Sequence, residues 1–163
     1  MHLRVTTTMQ SCHPLAVICL FSIIACSAQP FPNIQAENLL GKKIELPGAV
    51  SQHPTLLIIG FTHASQAPTK AWAARLENEF NPYSIAVLQD APRLVRGMAV
   101  RGIKSGVQEK NRDHFLLVFQ GEQELKQAAD YDRPDDAYVL LVDPGGQIQA
   151  RWHGPVSAMW RTL

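Results

Sequence analysis

The chain has 163 residues, of which 46% are hydrophobic and 18% are charged, and its formal net charge is +1. These proportions are typical of one soluble globular domain with an additional segment, and they exclude disordered, collagen-like and coiled-coil chains. The chain has 15 basic and 14 acidic side chains, so it produces no strong overall electrostatic field. We therefore predict that it does not bind nucleic acids.

The first 28 residues have the features of an export signal. A weakly positive leader with Arg4 precedes an uncharged apolar run from Leu15 to Ala25, and small residues follow it as far as Ala28. The run is too short to cross a bilayer, which takes about 20 apolar residues, but it has the length of a signal-peptide core. We therefore predict export from a bacterial-type cell, with an N-terminal membrane anchor or a buried helix as the alternative.

Two cleavage sites fit this segment. A signal peptide over residues 1–28 would be cut after Ala28 and leave a periplasmic chain without cysteine. A lipoprotein signal over residues 1–25 would end in Ile23-Ile24-Ala25-Cys26, which resembles a bacterial lipobox, and Cys26 would then carry lipid as a membrane tether. In either case the folded domain has no free thiol and no internal disulfide, because the cysteines of the chain are Cys12, Cys19 and Cys26.

Beyond residue 28, strand and helix patterns alternate without a repeat or a long linker. This alternation predicts a single α/β domain with a largely parallel sheet. A hairpin-like element is predicted over Leu39 to Leu46, because Gly41-Lys42 separates two apolar stretches. Thr55 to Phe61 is a continuous apolar run, which is typical of a central strand covered on both faces.

The first long helix is predicted directly after this strand. Ser65 is placed to cap it, and Pro68 lies in its first turn, where a missing N–H is tolerated. Asn81-Pro82 ends the helix, and Ser84 to Leu88 forms the next strand. One face of the helix is predicted to be buried through residues spaced by four, which are Trp72, Leu76 and Phe80.

A second helix is predicted with Asp90 as its cap and Pro92 in its first turn, and Gly102 and Gly106 are expected to break it. Its inward-facing residues are predicted to be Leu94, Val95, Met98 and Ala99. A basic stripe follows one face, consisting of Arg93, Arg96, Arg101 and Lys104. Such a stripe would suit docking on anionic lipid headgroups or on an acidic partner, and the alternative is the solvated side of an amphipathic helix.

The last third of the chain continues the alternation. Strands are predicted over Phe115 to Phe119 and Ala137 to Val142, with a short helix from Glu122 to Ala129 between them. Asp143-Pro144-Gly145-Gly146 is a strong turn signal that leads into an antiparallel partner strand. That partner strand runs from Gln147 to His153, and Ser157 to Leu163 leaves room for less than two turns of a last helix.

Three segments carry a family resemblance that covers most of residues 29–163. They run from Pro32 to Leu46, from Leu56 to Phe61 and from Tyr138 to Ile148, the last being an apolar strand, an Asp, a Gly turn and a second apolar strand. Together with the order of the elements, they resemble the thioredoxin-like fold in its redoxin-type branch. The resemblance implies an α/β domain over residues 29–163, with a central mixed sheet flanked by helices and a short C-terminal helix.

A narrower likeness concerns three segments in the second half of the chain. Asn111 to Val118, Asp136 to Asp143, and Ile148 to Trp152 with Gly154 look like the thioredoxin-like mitochondrial ATP-synthase assembly factors and their bacterial relatives. Those proteins assist the assembly of a membrane complex. The likeness therefore implies a protein partner, such as a membrane complex, rather than turnover of a small substrate.

The chain departs from the family at the redox motif. Gln66-Ala67-Pro68-Thr69 stands where a thioredoxin has Cys-x-Pro-Cys, and a peroxiredoxin alignment puts Ala67 at the peroxidatic position. In the family, a helix N-terminus lowers the pKa of a thiol there, and the thiolate exchanges disulfides. These side chains cannot perform that step, so we expect neither thiol-disulfide oxidoreductase nor peroxidase activity. Ala137 likewise stands where a thioredoxin has its cis-proline.

The start of the first long helix carries the candidate binding residues, which are His63, Ser65, Gln66 and Thr69. Exposed N–H groups there would form a small anion or peptide-carbonyl site, and simple helix capping by Ser65 is the alternative. Histidines beyond residue 28 show no metal-ligand spacing, so we predict no metal and no cofactor; they are His53, His63, His114 and His153.

The predicted function is that of an exported thioredoxin-like domain without redox cysteines, which acts as a binding or assembly-assisting protein and has no catalytic residue. The alternative is a non-thiol enzyme that uses His63 or His114 as acid or base. That alternative requires one of the two to meet a carboxylate in a concave pocket around Ser65 to Thr69. A third interpretation is an inert structural relic that pairs with an active redox partner.

Overall fold

The computed structural model describes residues 29–50 and 52–156, apart from the side chain of Arg93. Within these residues the chain forms eight strands: β1 Gln29–Pro30, β2 Ile34–Asn38, β3 Lys43–Leu46, β4 Thr55–Gly60, β5 Tyr83–Val87, β6 Phe115–Val118, β7 Tyr138–Val142 and β8 Gln147–His153. The α-helices of the same residues are α1 Gln66–Phe80, α2 Arg93–Gly106 and α3 Glu122–Ala128, and two short 3₁₀ turns cover Gly48–Val50 and Glu109–Asn111.

The strands form one mixed sheet in the order β1-β8-β7-β4-β5-β6-β2-β3. β5 pairs in parallel with both β4 and β6, and the other neighbouring strands are antiparallel. The largely parallel sheet predicted from the strand–helix alternation is therefore wrong, and the mixed sheet implied by the family resemblance is confirmed. The reason lies in the connections, because the short loops between β2 and β3 and between β7 and β8 permit only antiparallel pairing.

β4 lies in the middle of the sheet and is buried on both faces, as its apolar run predicts. Its residues Leu56 to Ile59 are at most 8% exposed. Leu57 and Ile59 face a core that also contains α3, whereas Leu56 and Ile58 pack with Trp72 of α1. The sequence therefore predicts this strand correctly, because a strand between two layers needs apolar side chains in both directions.

α1 begins and ends where the sequence predicts, but only part of its expected face is buried. Trp72 and Leu76 are completely buried, and the indole Nε1 of Trp72 donates a hydrogen bond to the Gly154 carbonyl oxygen at 2.8 Å. Phe80 is 54% exposed, so its predicted burial is wrong. Residues spaced by four drift around a helix of 3.6 residues per turn, which puts Phe80 about 80° away from Trp72.

The orientation predicted for α2 is wrong for three of its four inward-facing residues, whereas Ala99 is half-buried. Leu94, Val95 and Met98 were expected to face inward, yet they are 94%, 46% and 68% exposed. α2 starts at Arg93 with Pro92 at the N-cap position instead of Asp90, and Gly102 lies inside the helix rather than breaking it. Among the described side chains of α2, none is buried. The helix therefore packs loosely, through a side that Leu94 and Met98 do not occupy.

The predicted turn between β7 and β8 is confirmed and depends on Asp143. The Gln147 backbone N–H donates to Asp143 Oδ1 at 2.8 Å, and Gln149 Nε2 donates to Oδ2 at 2.6 Å. The hydrogen bond from Gln147 is the main reason why the pKa of the Asp143 carboxyl lies below its ordinary value. Gly146 has a φ of 75°, and a Cβ on it would lie 2.8 Å from Pro47 Cγ, so this turn requires glycine.

Several predictions concern residues outside the described part of the chain. They are the export signal over residues 1–28, lipidation of Cys26 and the last helix over Ser157 to Leu163. No helix in the described ranges combines the length and the apolar character that crossing a membrane would take.

Candidate functional site

A cavity of about 560 Å³ opens at the carboxyl ends of β4 and β5, between α1, α2 and the sheet. Gly60 and Ala86 are paired residues of β4 and β5, and both line the cavity. A Cβ on Gly60 would lie 2.9 Å from Thr69 Oγ1 and 3.0 Å from Ser65 Oγ. Glycine at position 60 therefore lets the start of α1 approach the sheet closely, and it places that start at the edge of the cavity.

The structure brings the four candidate binding residues together, and each of them lines the cavity: His63, Ser65, Gln66 and Thr69. Ser65 and Thr69 are buried, whereas His63 and Gln66 are exposed at the mouth. The Ser65 hydroxyl donates to the Thr62 carbonyl oxygen at 2.8 Å, and the Thr69 hydroxyl donates to the Ser65 carbonyl oxygen at 2.7 Å. The two hydroxyls therefore hold the chain, and His63 and Gln66 remain accessible to a ligand.

The start of α1 offers fewer free donors than the sequence indicates. Ser65 stands at the N-cap position, but its side chain makes no capping hydrogen bond to the helix. The backbone N–H of Gln66 donates to the His63 carbonyl oxygen at 3.2 Å, that of Thr69 donates to Ser65, and Pro68 has no N–H. An anion at this helix start would therefore need charged side chains as well as backbone groups.

Charged side chains lie around the mouth of the cavity. Lys70 of α1 makes no side-chain hydrogen bond or ion pair in the described structure, and its Nζ lies 3.7 Å from the place that a Cβ on Gly106 would take. Glu122 is buried and pairs with Lys126, whose Nζ lies 2.6 Å from its carboxylate. That hydrogen bond is the main reason why the pKa of Lys126 is raised. Asp90 is exposed at the same mouth. Lys70 is therefore the unpaired cation of the site.

Neither histidine of the enzyme hypothesis meets a carboxylate at this cavity. Across the residues described, no hydrogen bond or ion pair joins His63 to an acidic side chain. His114 Nε2 lies 3.5 Å from Asp113 Oδ2, and its ring stacks on Tyr83 with centroids 4.5 Å apart. His114 lines a smaller adjoining cavity of about 220 Å³ that does not include Ser65. The geometry therefore gives no orienting acid for a base at the start of α1.

The loop before β7 is fixed against the start of α1. The Thr62 hydroxyl donates to the Pro134 carbonyl oxygen at 2.6 Å. The Tyr138 hydroxyl accepts the N–H groups of Asp132 and Arg133 at 3.0 and 2.7 Å, and burial is the main cause that raises the pKa of this phenol. This loop precedes Ala137, the first residue before β7. The chain thus holds the loop with a buried phenol, a feature that residue patterns alone did not indicate.

The basic stripe on α2 divides into two parts. Arg96 donates hydrogen bonds to the carbonyl oxygens of Ala91 and Gln89 at 2.9 and 2.8 Å, so it holds the loop before α2. Arg101 and Lys104 are exposed. The side chain of Arg93 is not among those that the structure describes. Arg101 and Lys104 are therefore the stripe residues that remain accessible to a surface or partner.

The sequence predicted that Ala99 faces inward, but it did not indicate the other residues of the α2 wall of the cavity. That wall consists of Ala99, Gly102, Ile103 and Gly106; positions 99, 102 and 106, and likewise 99, 103 and 106, follow helical spacings of three and four. The small residues Ala99, Gly102 and Gly106 on one side of α2 are a signal for this wall that the sequence itself carries.

No three side chains of the metal-ligating types come together in the ranges 29–50 and 52–156.

Comparison with known proteins gives matches in structure only. The sequence matches no protein-family model and no curated protein. BsSco, a member of the Sco family of cytochrome c oxidase assembly proteins, matches with a TM-score of 0.54 and 12% identity over 80% of this chain and 86% of that chain. A putative thiol:disulfide interchange protein DsbE from Chlorobium tepidum matches with a TM-score of 0.53 and 15% identity over 83% and 91% of the two chains.

A putative electron transfer protein from Aquifex aeolicus VF5 also matches, with a TM-score of 0.53 and 12% identity over 83% of this chain and 92% of that chain. Similarity at such low identity concerns the fold. Gln66-Ala67-Pro68-Thr69 forms the start of α1 in this chain, and no cysteine occurs in residues 29–156. The described part of the chain is therefore an α/β domain with the thioredoxin-like fold.

Proposed function

We propose that this chain is an exported thioredoxin-like binding protein that has no thiol chemistry and assists the assembly of a membrane complex. The observation that carries the proposal is the start of α1, where Gln66-Ala67-Pro68-Thr69 opens onto a cavity of about 560 Å³. No side chain there can form a mixed disulfide, which is the step that thiol exchange requires. A concave apolar cavity with a few polar groups at its mouth is instead typical of a binding site.

Two likenesses support a partner in a membrane complex. BsSco, which shares the fold, belongs to a family of cytochrome c oxidase assembly proteins. The segments Asn111 to Val118 and Asp136 to Asp143 look like those of the thioredoxin-like ATP-synthase assembly factors. Since fold informs function less well than the site does, these likenesses direct the choice of partner rather than establish it.

The accessible surface of α2 suits a position close to an anionic membrane. Leu94 and Met98 are 94% and 68% exposed, and the cationic Arg101 and Lys104 lie on the same helix. Exposed apolar side chains enter the interfacial region of a bilayer, and each nearby basic group contributes about 1 kcal/mol on an anionic surface. An export signal over residues 1–28, or a lipid on Cys26, would bring the domain to such a surface.

Insulin-disulfide reduction and peroxide consumption by the mature protein test the absence of thiol chemistry. We expect the rates of a protein-free blank in both assays, with a thioredoxin and a peroxiredoxin as positive controls. Turnover above the blank in either assay would refute the proposal. The mass of the mature N-terminus tests export: Gln29 identifies a soluble form and acylated Cys26 a lipoprotein, whereas an intact Met1 would contradict processing.

A further inference from the structure

The side chains of residues 29–50 and 52–156 do not fill the space under α2. The α2 wall of the cavity contains alanine at 99 and glycine at 102 and 106. A Cβ on Gly102 would meet no other atom within 4 Å. The space beside this glycine measures about 560 Å³ and is open to solvent, so a ligand can enter it. It falls within the roughly 300–1,000 Å³ that small-molecule sites occupy.

The interior of this space favours an apolar occupant. Residues that line it include Phe61, Leu88, Ile103, Val107 and Phe115. The polar side chains within it are already partnered, since the Ser65 and Thr69 hydroxyls bond to the backbone and Glu122 is paired with Lys126. A polar ligand group placed there would lose its hydrogen bonds to water without gaining new ones. An apolar chain meets no such penalty.

The mouth favours a negative group at one end of the occupant. Lys70 extends from α1 toward Gly106 of α2, and its ammonium has no hydrogen bond or ion pair within the described residues. Its positive charge lies in the first turns of α1, where the helix dipole adds positive potential. His63 and Gln66 are exposed on the same rim. Asp90 is the opposing charge at the mouth, and Glu122 is neutralised by Lys126.

We propose that this cavity binds a single-chain amphiphile with a carboxylate head, such as a medium-chain fatty acid. Its chain lies between α1, α2 and the sheet, and its carboxylate pairs with Lys70. The inference rests on the proposed function in one respect, that this site binds rather than turns over its ligand. It adds the chemical class of the ligand, which the proposed function leaves open.

Calorimetric titration of the mature protein with dodecanoate, below its micelle concentration, tests the site. In Gly102→Leu, the leucine side chain can enter the cavity, because a Cβ at this position meets no other atom within 4 Å. We expect this variant to bind dodecanoate at least about tenfold more weakly. Gly97→Leu is the matched control, because Gly97 lies on the same helix, has open space around it and does not line the cavity. It should leave the affinity within about twofold. Thermal melts confirm that both variants fold.

Lys70→Gln tests the head group separately from the chain. We expect it to weaken dodecanoate binding about fivefold, the upper range for a partly exposed ion pair, and to leave dodecanol binding unchanged. Equal dodecanoate affinity in the Gly102→Leu and native proteins, or no binding of dodecanoate by the native protein, would overturn the inference. Neither result would contradict the proposed function. The proposed function is refuted instead if the mature protein reduces insulin or consumes peroxide.

Discussion

Gly60 at the end of β4 controls how closely α1 approaches the sheet, and Gly60→Ala should destabilise the protein. The added Cβ would lie 2.9 Å from Thr69 Oγ1 and 3.0 Å from Ser65 Oγ. Neither hydroxyl is free to withdraw, because Thr69 donates to the Ser65 carbonyl oxygen and Ser65 donates to the Thr62 carbonyl oxygen. The backbone at the start of α1 must therefore shift, or one of these hydrogen bonds must break.

Two effects of opposite sign set the magnitude. Overpacking a well-packed site costs about 1–3 kcal/mol, and a broken hydrogen bond costs a similar amount. Removing a glycine recovers about 0.4–1 kcal/mol, because the unfolded chain loses conformational freedom. The net loss in the free energy of unfolding is therefore about 1 kcal/mol. With an m-value of about 2 kcal/mol/M in urea, the unfolding midpoint should fall by about 0.5 M.

Urea unfolding followed by tryptophan fluorescence measures this loss, since Trp72 is completely buried in the native state. Gly97→Ala is the control, because its Cβ meets no atom within 4 Å and alanine favours a helix, so its midpoint should stay or rise. In a Thr69→Ala background, Gly60→Ala should cost less than in the native chain. A midpoint for Gly60→Ala equal to or above that of the native protein would refute the close approach.

Three further predictions follow from the site, the β7–β8 turn and α2. The double variant Gln66→Cys/Thr69→Cys should gain insulin reductase activity above the blank, because a thiolate would then stand at a helix N-terminus. Asp143→Asn should lower stability in urea at pH 7, and the difference from the native protein should shrink as the pH falls through the carboxyl's folded pKa. Arg101→Glu/Lys104→Glu should reduce co-sedimentation with vesicles containing phosphatidylglycerol.

Each of these has its own check. A double-cysteine variant that folds but stays at the blank rate would mean that the start of α1 lacks the geometry of the family. The sign for Asp143 follows from its lowered pKa, since its contribution is present above the unfolded pKa and lost on acidification; a constant difference at all pH values would contradict it. Lys42→Glu/Lys43→Glu is the control for α2, and an equal loss there would indicate a net-charge effect.

Local patterns determined a large part of the fold. The run Leu56 to Ile59 predicted a central strand, and Trp72 with Leu76 predicted the buried face of α1, because burial imposes an apolar pattern that a short segment carries by itself. Asp143-Pro144-Gly145-Gly146 predicted the β7–β8 turn, because a tight turn needs particular residues within four positions. Like burial, this requirement is met within one short segment. The absence of sulfur from Gln66-Ala67-Pro68-Thr69 also needed only the sequence.

Tertiary structure alone decided which strands are neighbours in the sheet, how α2 is oriented and where the cavity lies. β7 lies beside β4 although many residues separate them, and such pairing depends on the path of the chain rather than on either segment. Leu94 and Met98 indicated the wrong side of α2, because the side that lines the cavity carries small residues such as Gly102. The cavity lies beside Gly60, where the missing side chain allows α1 to approach the sheet closely. Space between elements is a property of their packing, and no single segment encodes it.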